Sequence, residues 1–132
     1  MVNSKNILWV CLGNVNRSPT FELYFKTLYP EYNHKSAGTI TSSYGVPLSQ
    51  ELVDWADKIY VADIEVYKDF KKLFPDVYDQ SKVTIMGIPD EYDRFSWDLV
   101  WTLNVWNNYA QPFLHIRTFS KEEWEKLVEN KQ

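Results

Sequence analysis

The sequence predicts an α/β fold of three layers, a four-stranded parallel sheet in the order 2-1-3-4 flanked by helices, with a possible extra C-terminal edge strand. Two observations carry that prediction. Short apolar runs alternate with segments of helical spacing, the signature of successive β–α–β units. The first of those runs, Ile7-Leu8-Trp9-Val10-Cys11-Leu12, is apolar at every position, as in a strand buried on both faces. A chain of 132 residues, 45% hydrophobic and 17% aromatic, can bury such a core in one domain spanning 1–132.

The elements follow in order. The Ile7–Leu12 strand ends at the turn signal Gly13-Asn14. Ser18-Pro19 offers an N-cap and a first-turn proline, and apolar positions from Phe21 to Tyr29 then keep mostly helical spacing until Pro30. His34 to Thr39 reads as a second strand, and Ser49 opens a helix to about Ala56. Lys58 to Ala62 is a third strand, after which Asp63 caps a helix that Pro75 stops. Val83 to Ile88 is the fourth strand. Trp97 to Trp106 reads as a helix, Phe113 to Ile116 as the extra edge strand, and Ser120-Lys121-Glu122-Glu123 as a capping box opening the last helix. The six tryptophans sit mostly in apolar patterns and are expected in the core or at an interface.

Charge and cysteine usage narrow the function. The net charge is −4, with four Lys/Arg against two Asp/Glu in residues 1–50 and ten against sixteen in 51–132. An acidic chain without a basic stripe is a poor match for a nucleic-acid backbone, while the mildly positive N-terminal part suits an anionic ligand. The apolar run near the N-terminus is too short for a membrane span or signal core, so a soluble protein is expected. Cys11 is the one cysteine, which forbids an internal disulfide and suits a reducing, cytoplasmic setting. His34 and His115 lack ligand-spaced partners, so neither a metal site nor a cofactor is expected.

In Cys11-Leu12-Gly13-Asn14-Val15-Asn16-Arg17-Ser18 a thiol and a guanidinium have five residues between them, between the end of a strand and the start of a helix. Backbone N–H groups at a helix N-terminus lack partners and the helix dipole is positive there, so this loop can cradle a phosphate through residues 12 to 18. The same field favours a thiolate, the nucleophilic form of cysteine. Arg17 offers a planar, permanently charged fork for two phosphate oxygens. Ser18 can donate its hydroxyl to the Cys11 sulfur. Asn14 tolerates the left-handed backbone that a tight loop demands. A lone cysteine on a core strand is more often a buried filler; the arginine and serine beside it, in this context, favour the reactive reading.

Val10-Cys11-Leu12-Gly13-Asn14-Val15-Asn16-Arg17-Ser18-Pro19 resembles the signature of the low-molecular-weight protein tyrosine phosphatases, V-C-x-G-N-x-C-R-S-P. Ser36-Ala37-Gly38-Thr39, the strand with an acidic end at Asp63, and Asp-x-Tyr at Asp90-Glu91-Tyr92 are similar to later landmarks in the same order. The resemblance covers about residues 5–95 and implies a phosphotyrosine-like monoester as substrate, either a phosphorylated protein or a small aryl phosphate, with inorganic phosphate as product. It implies Cys11 as nucleophile, Arg17 as phosphate clamp and Asp90 as general acid, with Glu91 in place of the family's proline. Glu91 or Asp93 could hold the acid role instead. Tyr92 and Tyr44 are candidates for an aromatic rim that selects a flat ring. Asn16 stands where the family often has a second cysteine, so the chain lacks that partner for a protective disulfide. The rival from another class is a phosphate- or phosphopeptide-binding module with weak turnover; a cysteine phosphocarrier is a further alternative.

Overall fold

Strands β1 (Asn6–Cys11), β2 (Asn33–Gly38), β3 (Lys58–Val61) and β4 (Val83–Ile85) form one parallel sheet in the order β2-β1-β3-β4. They belong to a computed structural model that describes residues 5–40, 45–77 and 82–130. The predicted architecture and strand order are both present. β1 is central because it is apolar on both faces, with Leu8, Trp9 and Val10 fully buried. In register, Val10 lies between Ala37 of β2 and Val61 of β3.

The helices are α1 (Arg17–Leu28), α2 (Gln50–Trp55), α3 (Ile64–Leu73), α4 (Trp97–Ala110) and α5 (Lys121–Glu129). Right-handed crossovers in this strand order place α1 on one face and α2 and α3 on the other. α4 joins the α1 face, where Trp9 stacks between Phe25 of α1 at 4.1 Å and Tyr60 of β3 at 4.7 Å and meets Trp106 of α4 edge-on at 6.5 Å. Four helix starts are capped by side chains, three of them, at Ser49, Asp63 and Ser120, as their sequences predict. Ser49, Asp63, Ser96 and Ser120 each accept an N–H from the first turn, and Ser120 with Glu123 completes a capping box. Each such cap contributes about 1 kcal/mol.

Several expectations are corrected. α1 starts at Arg17 with Asn16 at the N-cap, making no side-chain cap bond; Ser18 lies inside the helix because its hydroxyl is committed elsewhere. β4 stops at Ile85, although Met86 N–H and Ile88 N–H still donate to Val61 and Ala62 of the β3 edge at 2.8 and 2.7 Å. Gly87, with φ at +84°, breaks the extended backbone between them.

Phe113–Ile116 forms no strand. Its neighbourhood satisfies the backbone with side chains instead: Tyr29 OH donates to His115 C=O, Arg117 N–H donates to Tyr29 Oη, and Asn107 donates to Arg117 C=O. Asn104 similarly takes both polar groups of Phe119. Phe113 turns inward and packs on Tyr29 at 4.4 Å. Of the tryptophans, Trp9 and Trp124 are core, whereas Trp101 is 58% exposed.

Candidate functional site

The sheet order creates the site before any side chain is considered. The chain leaves β1 toward β2 on one side, and β3 lies on the other. The carboxyl end of β1 is therefore a switch point, where adjacent connections diverge and open a crevice. The Cys11–Ser18 loop occupies it, running from β1 into the first turn of α1.

Cys11 is buried beneath this loop and its sulfur is hydrogen-bonded twice, by the Asn14 N–H at 3.2 Å and with the Ser18 hydroxyl at 3.1 Å. Ser18 has one hydrogen to give, and its oxygen already accepts from Asn14 Nδ2 at 2.7 Å. That leaves the sulfur, or Ala37 C=O at 3.3 Å, as the acceptor.

Asn14 organises the loop from within. Its φ of 53° is left-handed, which asparagine tolerates better than most residues. Its amide donates to Ser18 and, at 3.0 Å, to Ser36 of β2, while its Oδ1 accepts the Val46 N–H at 2.7 Å. Ser36 passes its own proton to Glu22 of α1 at 2.5 Å. Gly38 lies against this loop so closely that a Cβ there would come within 2.7 Å of Asn14 N and 2.8 Å of Leu12 O. Leu12 keeps the ladder going by accepting Ile40 N–H at 2.9 Å. Among the described residues, the N–H groups of Gly13, Val15 and Asn16 meet no acceptor. They are free donors at the positive end of a helix.

Arg17 is 2% exposed and is aimed by two anchors, since its Nη1 donates to Asp63 Oδ2 at 2.6 Å and to Ile88 C=O at 2.8 Å. Its Nε lies 3.6 Å from Asp90 Oδ1. The other Asp63 oxygen caps α3 by accepting Val66 N–H at 2.9 Å. Burial is the largest influence on the Asp63 carboxyl and raises its pKa, but the Val66 N–H and the Arg17 guanidinium together outweigh it and hold the group below its ordinary value.

The structure thus sets Cys11 and Arg17 near the two ends of one loop, with the Asp90 carboxylate 3.6 Å from Arg17 and its side chain 54% exposed. Glu91 and Asp93 are also exposed, with Arg17 pairing recorded for Asp90 alone among the three. Tyr92 is half-buried, its hydroxyl 3.1 Å from that of Thr102 on α4. Tyr44 lies outside the described residues. Sequence reasoning had Asp63 as a helix cap and a landmark and Ser36 only as a landmark; their bonds to Arg17 and Asn14 span 46 and 22 residues, and local pattern holds no signal for them.

No protein-family model matches the chain, and no curated protein sequence is significantly similar to it. Solved structures do match. Wzb of Vibrio vulnificus, in complex with benzylphosphonate, superposes with a TM-score of 0.63 at 22% identity, covering 83% of this chain and 96% of that one. SP-PTP, a low-molecular-weight protein tyrosine phosphatase from Streptococcus pyogenes, gives 0.66 at 19% identity, covering 92% and 97%. The fold is that of the low-molecular-weight protein tyrosine phosphatases. A mutant of the arginine phosphatase YwlE with a phosphorylated active-site serine shares it, with a TM-score of 0.58 at 24% identity over 71% of this chain and 82% of that one. Within the low-molecular-weight phosphatase fold, the carboxyl end of β1 carries Cys11 and the start of α1 carries Arg17.

Proposed function

We propose that this chain is a cysteine-dependent phosphatase acting on phosphotyrosine-like monoesters, in phosphorylated proteins or small aryl phosphates, in the cytoplasm. One observation carries the reading: a sulfur that accepts the Asn14 N–H and lies 3.1 Å from the Ser18 hydroxyl sits under a loop whose Gly13, Val15 and Asn16 N–H groups have no acceptor within the described chain. A nucleophile and an oxyanion cradle are thereby joined.

In the proposed reaction the Cys11 thiolate attacks phosphorus in line with the ester oxygen, forming an S–P bond as the P–O bond to the phenol breaks. Asp90 delivers its proton to the departing oxygen. The loop amides and Arg17 hold the three equatorial oxygens as charge shifts among them. Water then attacks phosphocysteine, Asp90 takes back a proton, and inorganic phosphate leaves with Cys11 again a thiolate. Ser18 donates to sulfur at both ends of the cycle. Tyr92 walls the mouth, and no metal or cofactor takes part.

Hydrolysis of p-nitrophenyl phosphate tests this. Cys11→Ser is expected to lose about 10⁴-fold or more in kcat while still binding inorganic phosphate, and Asp90→Asn about 10²-fold. Full activity in Cys11→Ser would sink the proposal. Glu91, where the family has proline, favours one second reading, a phosphopeptide-binding module with weak turnover. Binding without hydrolysis by the wild type would select it. A panel of phosphotyrosyl and phosphoarginyl peptides then sorts the substrate class, since both kinds of phosphatase share this fold.

A further inference from the structure

We infer that the C-terminal helix holds the acid-bearing loop in place, with Trp124 as a positioning residue for Asp90; the inference rests on the reading of Asp90 as general acid. The evidence meets at Phe95, in the loop between β4 and α4. Its φ is 60°, a left-handed conformation that a bulky aromatic residue adopts only when its surroundings impose it. Both of its backbone polar groups are claimed from outside the loop. The Phe95 N–H donates to Thr20 Oγ1 of α1 at 2.9 Å, and Trp124 Nε1–H of α5 donates to Phe95 C=O at 2.8 Å. One strained residue is thus gripped by a helix on either side.

Each grip leads somewhere. The Thr20 hydroxyl donates in turn to Asn16 C=O at 2.7 Å, so the same residue touches the Cys11–Ser18 loop and the acid loop. Trp124 is 1% exposed, packed edge-on against Phe119 at 5.2 Å and Phe95 at 6.3 Å. A buried indole N–H needs an acceptor, and the Phe95 carbonyl is the one it has.

Asp90, by contrast, pairs with Arg17 alone among the described residues, and its side chain is 54% exposed. Its position therefore depends on how its loop is tied, at its two ends and, through the Tyr92 hydroxyl on Thr102, near its middle. Ile88 C=O is tied to Arg17 at one end, and Phe95 is tied to Trp124 and Thr20 at the other. Releasing the second tie lets the loop relax out of its left-handed turn and carries the acid away from the departing oxygen. The chemistry at sulfur is left intact.

The test is the dependence of kcat/KM on leaving group, across aryl phosphates from p-nitrophenyl to unsubstituted phenyl. A good leaving group needs little protonation and a poor one needs the acid. Trp124→Phe keeps a ring and removes the N–H. It is expected to lose about tenfold on phenyl phosphate and no more than about twofold on p-nitrophenyl phosphate. Asp90→Asn is expected to be steeper still, and the double variant no steeper than Asp90→Asn. Thr20→Val, which removes the acceptor of the Phe95 N–H and leaves Trp124 in place, is expected to steepen the dependence as well, and it decides the matter if Trp124→Phe does not fold.

Folded variants that lose activity equally on every substrate, or lose none, overturn the inference; a steep Asp90→Asn profile in the same experiment keeps the acid reading standing. A flat Asp90→Asn profile overturns the acid reading and the inference with it.

Discussion

The Cys11–Ser18 loop and the Ile88–Ser96 loop both reach Arg17, yet they are held in opposite ways. The first is buried and bonded from inside: Asn14 alone ties it to Ser18, Ser36 and Val46. The second is largely exposed and bonded at its ends through Ile88 and Phe95, with one side-chain tie from Tyr92 between them, to three other elements. Interior bonding fixes a cradle whose shape must not change during the reaction. Tethering at the ends leaves the middle, where Asp90 sits, accessible to a substrate and to water. The comparison predicts that damage to the first loop removes all activity, whereas damage to the second changes only its proton-transfer component.

Gly38→Ala is the strongest way to break that comparison. A Cβ at 38 would press on the backbone of Gly13 and Asn14, with no flexible side chain to yield. Loss of at least about 10²-fold in kcat on every substrate is expected, together with a lower melting temperature; wild-type turnover would show that the loop is not rigid after all.

Asp63→Asn probes the residue that serves Arg17 and α3 at once. The amide oxygen can still accept Val66 N–H, but the charge facing Arg17 is gone, so kcat/KM is expected to fall about tenfold, the equivalent of about 1.4 kcal/mol. There is also a pH signature. Because the folded pKa of Asp63 is below its ordinary 3.8, its stabilising contribution is complete above that value and is lost as pH falls through the lowered one. Urea midpoints of wild type and Asp63→Asn should accordingly differ at neutral pH and converge in strong acid.

His34, outside both loops, calibrates the scale. It accepts from Trp9 Nε1 at 3.1 Å through Nδ1 and donates from Nε2 to Tyr29 C=O at 3.0 Å. Burial pushes its pKa below the ordinary 6.5 despite that carbonyl. Unfolded protein therefore binds more protons below 6.5, and stability should decline as pH drops from there. His34→Gln is expected to flatten that slope in urea titrations without altering the leaving-group dependence.

The smallest effect belongs to Glu91→Pro. The Glu91 N–H donates to no backbone carbonyl among the described residues, so proline removes no bond, and a change in kcat of no more than about threefold is expected. A large loss would mean that the middle of the second loop is more constrained than its exposure implies.

The sequence by itself determined the parallel α/β sheet and the strand–loop–helix that carries Cys11 and Arg17, because those depend on local patterns. Continuous apolarity marks β1, capping residues mark three helix starts, and Cys11, Asn14, Arg17 and Ser18 lie within eight positions of one another. It misplaced the Phe113–Ile116 segment, whose β-like composition is overridden by Tyr29, Asn104 and Asn107 supplying hydrogen bonds across long separations. Only the tertiary structure decided that Asp63 aims Arg17, that Ser36 and Glu22 brace Asn14, and that Trp124 grips Phe95. Those contacts join residues far apart in the chain, and a helical or strand period carries information about which face a residue occupies but none about which distant side chain it will meet.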